Sequence, residues 1–379
     1  MSGDRRRAGR AVARRLLLLG IGALSSHLLY PVALAAAARG RRRSQPPEPR
    51  KWPEVTVVIA AYREAGAIGR KIRSVLADGY PGSLRVLVVA DGDPGTAAAA
   101  RGEGVDVLTP PERLGKSAAL NRALAECLTE VVVLTDANNP LRPGSIAAMV
   151  RWFDDPTVGA VAGAKADSAD AAEGLYYRYE NHLKVLESRL GSTIGLVGEL
   201  AAIRTSLWQP IPDHVANDDM WVALCLLARR YRIQYEDEAL SYEEERLPLR
   251  PLWRRRSRIV TSQLQVLWEW RRLAGPARPE IALQLWGHRL WRTTLGPFFH
   301  LLLLGSLIRN APRSRLAAAG LAAHVVAAGA VVRPPRGSGP FAALLRVARQ
   351  LLLLHAVSVH AWLRVARGDR ATKWLKPDR

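Results

Sequence analysis

The sequence predicts an α/β domain with a mostly parallel sheet, set between membrane-crossing helices at the two ends of the chain. Three observations lead there. Short runs of β-branched residues alternate with helix-periodic stretches from Val55 to Ala164. Two of those runs are followed directly by an aspartate, Asp91 and Asp136. Long apolar blocks flanked by arginine occupy both ends of the 379-residue chain.

The first element is the run "LLLLGIGALSSHLLYPVALAAAA" (Leu16 to Ala38), which contains no Asp, Glu, Lys or Arg. Arg5, Arg6, Arg7, Arg10, Arg14 and Arg15 precede it, and Arg39, Arg41, Arg42 and Arg43 follow. Its length is enough to cross a bilayer. A cleaved leader, with "ALAAAA" as its cleavage region, is the competing reading. The length of the run and the basic cluster behind it favour an uncleaved anchor. A Pro-rich linker follows (Arg41 to Glu54), and a compact domain is expected just beyond it.

"VTVVIAA" (Val55 to Ala61) is a continuous apolar run of the kind that fills the interior of a parallel sheet. "AGAIGRKIRSVLAD" has helical spacing, with Ile68, Ile72, Val75 and Leu76 on one face. The strand "LRVLVVADGD", the short strand "VDVL" and the helix "GKSAALNRALAECL" come next. Then come the strand "EVVVLTDANN", the helix "GSIAAMVRWFDD" and the strand "VGAVAGA", ending at Ala164. Asp91 and Asp136 therefore stand at the carboxyl ends of buried strands, where open α/β sheets place their ligands. Either one alone reads equally as a turn former; the pair points to a site.

The C-terminal third holds three further apolar blocks, Thr294 to Ile308, Leu316 to Val332 and Phe341 to Leu363, predicting two or three membrane helices. The third carries Arg346 and Arg349, which suits an interfacial position. Lys and Arg number 55 against 34 Asp and Glu, a formal charge of +21. Much of that charge lies beside the apolar blocks, which suits anionic lipid and argues against nucleic acid as partner. Trp253, Trp268, Trp270, Trp286 and Trp291 precede the C-terminal blocks and read as an interfacial aromatic belt. Cys127 and Cys225, the only cysteines, are expected inside helices, and no Cys-x-x-Cys or Cys/His cluster supports a zinc site or a disulfide. The histidines are scattered and carry no assignment.

An ordered series of motifs runs from Val55 to about Leu267. It comprises "VVIAAYREAGAIGRKIRSVL", "VLVVADGDPGT", "RLGKSAALNRAL", "VVVLTDANNPLRPGS", "STIGLVGELAAIRTSLWQPIP", "VANDDMWVALCLLARRYRIQYEDEALSYEE" and "RRRSRI". This series resembles family 2 glycosyltransferases. The resemblance implies a GT-A (Rossmann-like) nucleotide-sugar-binding domain, with basic, apolar ends like those of membrane-attached members.

The family's roles carry over position by position. Ala61, Tyr62 and Glu64 match the first loop of the nucleotide pocket, usually written Tyr-Asn-Glu; here Arg63 replaces the Asn. Asp91 matches the acid that bonds base or ribose, and Lys116 a basic residue near the nucleotide-sugar, in a motif with Gly115 and Asn121. Asp136, followed by Ala137, matches the first acid of an Asp-x-Asp element that holds a divalent cation, Mg²⁺ or Mn²⁺, on the diphosphate. The third position is Asn138, a neutral oxygen donor. Asp219 matches the general base that takes the acceptor hydroxyl's proton. Asp218, Gly198 and Arg255 are expected on the acceptor side, and Asp218 also suits a helix start. Gly195 and Gly198 would let backbone approach a sugar. Glu199 stands where a small residue is usual. Arg258 fits the Arg of the Gln-x-x-Arg-Trp motif of processive synthases and would contact the diphosphate. Arg255 and Ile259 replace that motif's Gln and Trp, which argues against a long-chain polymerase.

The resemblance thus implies an inverting transfer from a UDP- or GDP-sugar to a lipid-linked or glycan acceptor, at the cytoplasmic face of a plasma membrane. A polyprenyl-phosphate glycosyltransferase is allowed by the anchor. A polysaccharide synthase and a non-catalytic membrane scaffold are the alternatives. Three parts are expected: an anchor and linker over 1–50, the transferase domain over 51–275, and interfacial and membrane helices over 276–379.

Overall fold

The computed structural model describes residues 2–41, 46, 48–167, 171–243, 248–335, 337 and 339–369. Arg42 and Arg43 of the basic flank, and Glu244 of the last acidic motif, lie outside the described residues. The described chain forms two compact units, one of Ala37–Arg246 and one of Met1–Ala36 with Leu247–Arg370.

The α/β unit is a seven-stranded sheet in the order β3-β2-β1-β4-β6-β5-β7. Its strands are β1 (Val55–Ala61), β2 (Leu84–Ala90), β3 (Asp106–Leu108), β4 (Val131–Asp136), β5 (Val158–Asp167), β6 (Leu200–Arg204) and β7 (Arg232–Glu243). β1, β2, β3 and β4 run parallel, and β5 is parallel to β7. β6 alone runs antiparallel to both of its neighbours. Ala61 pairs with Ala90 and Ala60 with Asp136, so the ends of β1, β2 and β4 finish side by side.

The apolar runs fold as their pattern dictates. Val55, Val57, Val58 and Ile59 are fully buried, as are Val131, Val132 and Val133. The helix α2 (Ile68–Leu76) buries Ile68, Ile72 and Val75 as its spacing predicts, while Leu76 is exposed. A polar member of that face, Lys71, is buried with them. The helices that follow on this unit are α3 (Pro94–Arg101), α4 (Lys116–Ala125), α5 (Ser145–Val150), α6 (Ala171–Arg189) and α7 (Asp218–Ala228).

Two expectations shift, and two further elements were not read from the sequence. Cys127 is not helical, because α4 stops at Ala125; Cys225 lies in α7, and both thiols are free and buried. β5 continues past Ala164 to Asp167. The long helix α6 gives no clean apolar stripe, since Glu180, Lys184, Glu187 and Ser188 are all buried in it. β7 carries the acidic run Glu236-Asp237-Glu238 in its middle; Glu236 is nonetheless buried, taking a hydrogen bond from Trp152 Nε1 at 2.8 Å.

The helical unit contains α1 (Ser2–Ala37), α8 (Leu249–Glu269), α9 (Pro279–Gln284), α10 (Trp291–Thr293), α11 (Leu295–Asn310), α12 (Arg315–Val332) and α13 (Pro340–Ala366). Among the described residues three segments are long and apolar enough to cross a membrane: Gly9–Ala37, Arg315–Val332 and Pro340–Ala366. The block from Thr294 forms the 16-residue α11, which is not among them. Leu16, Leu307 and Ala317 pack α1, α11 and α12 together, and Leu252, Leu353 and Val357 join α8 to α13. The tryptophans divide: Trp268 and Trp286 are exposed, whereas Trp291 Nε1 donates to Gly22 O at 2.8 Å. Histidines far apart in sequence also meet here, His300 Nδ1 lying 2.5 Å from His355 Nδ1.

Candidate active site

The site grows from the ends of β1, β2 and β4 and the start of α7. Asp136 is the last residue of β4, and Lys116 the first of α4. Lys116 Nζ lies 2.9 Å from Asp136 Oδ1 and 3.4 Å from Asp218 Oδ2. Asp218 and Asp219 open α7, whose N-cap Asn217 makes no side-chain capping bond. Asp219 Oδ1 accepts the Met220 amide at 2.8 Å. A Cβ added at Gly198 would stand 3.7 Å from Asp219 Oδ2 and 3.8 Å from Lys116 Nζ, so the bare Gly198 backbone faces both. These five residues line one cleft, together with Leu120, Leu134 and Val222.

The motif around Lys116 explains how the pair of aspartates arrives there. Asn121 on α4 bonds Ile211 in both directions, its amide donating to the carbonyl and its oxygen taking the N–H, each at 2.8 Å. Ser117 Oγ donates to Val215 O at 2.8 Å. The helix that carries Lys116 therefore also clamps the segment leading into Asp218 and Asp219. Ser117 had no role in the sequence reading.

The nucleotide-side residues gather at the neighbouring strand ends. The Asp91 amide donates to Ala61 O at 2.9 Å. The Asp91 carboxylate is buried and accepts the Leu114 amide at 2.6 Å and the Gly115 amide at 2.9 Å. It thus holds the loop before α4 in addition to the ligand role expected of it. Gly92 makes this possible. Its φ is +65°, and a Cβ there would lie 2.6 Å from the Arg113 backbone nitrogen. The Arg113 guanidinium stands 4.0 Å from the centre of the Tyr62 ring. Arg63 adopts φ 55°, in the left-handed region that Asn tolerates better, and its amide donates to Asp93 Oδ2 at 2.9 Å. Glu64 is buried, and its amide donates to Thr96 Oγ1 at 2.8 Å.

Electrostatics sets the chemistry. Burial raises the Asp219 carboxyl, Asp218 raises it further, and Lys116 and the Met220 amide oppose them; the outcome is about 6. Burial also raises Asp136, against the pull of Lys116. Lys116 is lowered by burial, but Asp136 and Asp218 outweigh that and hold its ammonium above the lysine range. Under the sheet, burial pulls Lys71 down to about 7, despite Asp136 and Asp78.

The donor set suits a hard divalent cation. Asp136, which lines the cleft, offers a carboxylate, and Asn138 two residues on offers an amide oxygen; both are half-buried, and Ala137 between them is buried. Among the described residues no three His, Cys, Asp or Glu side chains converge to hold an ion alone. An ion here would take its remaining oxygens from a diphosphate.

The expected residues divide between the two units. Ala61, Tyr62, Glu64, Asp91, Lys116, Asp136, Ala137, Asn138, Gly198, Asp218 and Asp219 all belong to the α/β unit. Arg255 and Arg258 lie on α8, in the helical unit.

Comparison with known proteins agrees with this architecture. Residues 56–207 match the family described as Glycosyl transferase family 2. The chain is 24% identical over 245 residues to an N-acetylglucosaminyltransferase of Rhizobium meliloti (strain 1021), spanning 58% of each protein. It is 30% identical over 224 residues to the pre-mycofactocin glycosyltransferase of Mycobacterium tuberculosis (strain CDC 1551 / Oshkosh), spanning 54% of this chain and 46% of that one. The chain thus spans about half the length of the curated relatives it matches. Among solved structures, the mannosyltransferase PcManGT from Pyrobaculum calidifontis, in complex with GDP-Man and Mn²⁺, superposes with a TM-score of 0.77 at 27% identity, covering 93% of this chain and 98% of that one.

Proposed function

We propose that this chain, whose residues 56–207 are a family 2 glycosyl transferase domain of GT-A fold, moves a sugar from a nucleotide-sugar donor to an acceptor hydroxyl with inversion, Asp219 acting as base. One observation carries this reading. Asp219 faces the same cleft as an ammonium, Lys116, that already bridges the acids of β4 and α7.

In the reaction the acceptor oxygen bonds to the anomeric carbon while the bond to the diphosphate breaks. The acceptor's proton passes to Asp219, whose burial makes it a better base than an exposed aspartate. Lys116 sits where the leaving diphosphate gathers charge and stabilises it. A divalent cation held by Asp136 and Asn138 supplies the rest of that charge neutralisation when bound. Gly198 leaves room for the acceptor beside the base.

The donor is a UDP- or GDP-sugar; the solved mannosyltransferase with GDP-Man and Mn²⁺ supports the GDP option and the metal. The acceptor is lipid-linked or a short glycan, which the candidate spans support by tethering the domain beside lipid. Arginine-rich flanks of those spans favour a plasma membrane with the transferase domain on its cytoplasmic face. Ile259, exposed on α8 in place of the processive enzymes' tryptophan, supports single transfer over polymerisation.

The test is nucleoside diphosphate release by detergent-purified protein from a panel of UDP-, GDP- and dTDP-sugars, with and without Mn²⁺ or Mg²⁺. Selective, cation-dependent release is the expected result. Neither release nor calorimetric binding with any donor would leave a scaffold as the better reading.

A further inference from the structure

We infer that Lys71 and Thr135 are positioning residues for the transfer proposed above: they pin the loop of Gly198 and Glu199 to the end of β4, and so fix where an acceptor meets Asp219. The inference rests on the transferase reading and on a chain of hydrogen bonds that passes beneath the cleft.

Lys71 lies on the buried face of α2, 1% exposed. Its Nζ donates to Thr135 Oγ1 at 2.7 Å and to Asn139 O at 2.6 Å. One amine therefore grips both ends of the turn that carries Asp136, Ala137 and Asn138. Thr135 Oγ1 in turn donates to Glu199 O at 2.7 Å. The direction of this relay is fixed by chemistry. The hydroxyl has one proton, which goes to the Glu199 carbonyl, and its oxygen accepts from the lysine.

The loop is held a second time through its side chain. Glu199 Oε1 lies 2.5 Å from Lys165 Nζ, and the same ammonium pairs with Glu243 at the end of β7. Asn139 is tied to that strand too, its amide donating to Tyr242 O at 3.1 Å. Gly198 is the residue before this doubly anchored Glu199, and its backbone is what faces Asp219 Oδ2 and Lys116 Nζ. A shift at Glu199 O is therefore a shift of the cleft wall beside the base. Filling the space under β4 does not require an amine. A methionine would fill it without the cost of desolvating a charge. What Lys71 adds is the pair of hydrogen bonds.

The experiment uses the full chain in detergent, with GDP-mannose and UDP-N-acetylglucosamine as donor probes. Four proteins are compared: wild type, Thr135→Val, Thr135→Ser and Lys71→Met. The readouts are nucleoside diphosphate release, donor KM, Tm and hydrogen exchange of the 195–200 segment. Thr135→Val keeps the shape and removes the hydroxyl. It is expected to lower kcat by about tenfold or more with donor KM within about twofold, since misplacement of reacting groups costs rate rather than donor affinity; Lys71→Met, which also frees the turn of Asp136 and Asn138, is expected to lower kcat by about tenfold or more and to raise donor KM as well. Exchange in 195–200 is expected to rise in both, and Thr135→Ser to stay close to wild type. An active wild type beside an equally fast Thr135→Val overturns the inference alone. So does unchanged exchange in 195–200, or collapse of Tm in both Thr135→Val and Lys71→Met, which would make the relay a general support of the fold. A wild type that neither releases nucleoside diphosphate from nor binds any donor of the panel above overturns the transferase reading itself.

Discussion

The Lys116 ammonium and the Asp136 carboxylate meet at 2.9 Å, across the gap between the start of α4 and the end of β4. The same nitrogen reaches Asp218 at 3.4 Å. A single positive charge thus offsets the acids of two elements that approach the cleft from different parts of the chain. Removing it exposes those acids to one another.

Lys116→Met is accordingly predicted to lower Tm and to weaken donor binding. It is also predicted to raise the pKa of Asp219, because Lys116 is one of the groups that holds it down. Calorimetric titration with GDP or UDP reads the first effect on binding, and the acid limb of the rate profile reads the second. An unmoved acid limb would show that Lys116 and Asp219 do not share a field.

The pH dependence follows from Asp219 itself, raised from 3.8 to about 6. A base must be deprotonated, so kcat/KM is predicted to fall about tenfold per pH unit below that value. The sign for stability is opposite. A carboxyl with a raised folded pKa binds its proton more tightly in the native state, so its favourable contribution is full below 3.8 and is lost as pH rises through about 6. Asp219→Asn should therefore raise Tm at pH 7 and change it little at pH 3.5. Differential scanning calorimetry at the two pH values checks this.

Gly198 is predicted to tolerate a methyl group and nothing much larger. The added Cβ of Gly198→Ala makes ordinary contacts of 3.7 and 3.8 Å. Gly198→Leu projects further into the space beside Asp219 and should reduce transfer by about a hundredfold, with Tm near wild type. Equal rates for the two variants would remove the acceptor from this side of the cleft.

At Gly92 the constraint is backbone against backbone. Gly92→Ala places a Cβ 2.6 Å from the Arg113 nitrogen at a φ of +65°. It is predicted to displace the loop that Asp91 holds, destabilising the domain by about 1–3 kcal/mol and weakening donor binding. Urea unfolding and donor titration measure the two parts.

Much of this was legible in the sequence. The strands "VTVVIAA", "LRVLVVA" and "EVVVLTD" announce themselves because both faces are buried, and an aspartate at the end of two of them locates the ligand edge. Asp136, Lys116, Gly198, Asp218 and Asp219, widely separated in sequence, line one cleft. The supporting residues were not legible, for a shared reason. Lys71 interrupts an apolar helix face, and Lys165 and Glu243 interrupt strands; each is paired with a group distant in sequence. A charge whose partner lies far along the chain reads as solvated until the fold brings the partner in. Glu236 hid β7 in the same way, since its partner is Trp152. Only the substitution at Arg63 left a local trace, an Asn-preferring position filled by a residue that must adopt φ 55°.

The central claim is that Asp219 takes the acceptor's proton. The most direct measurement compares Asp219→Asn with wild type in two assays on the same preparations, donor binding by calorimetry and nucleoside diphosphate release in the presence of Mn²⁺. The account predicts that Asp219→Asn binds donor within a few-fold of wild type and loses release by about 10²–10⁴-fold. Release that persists at the wild-type rate, with the donor still bound, would contradict it and place the base elsewhere in the cleft.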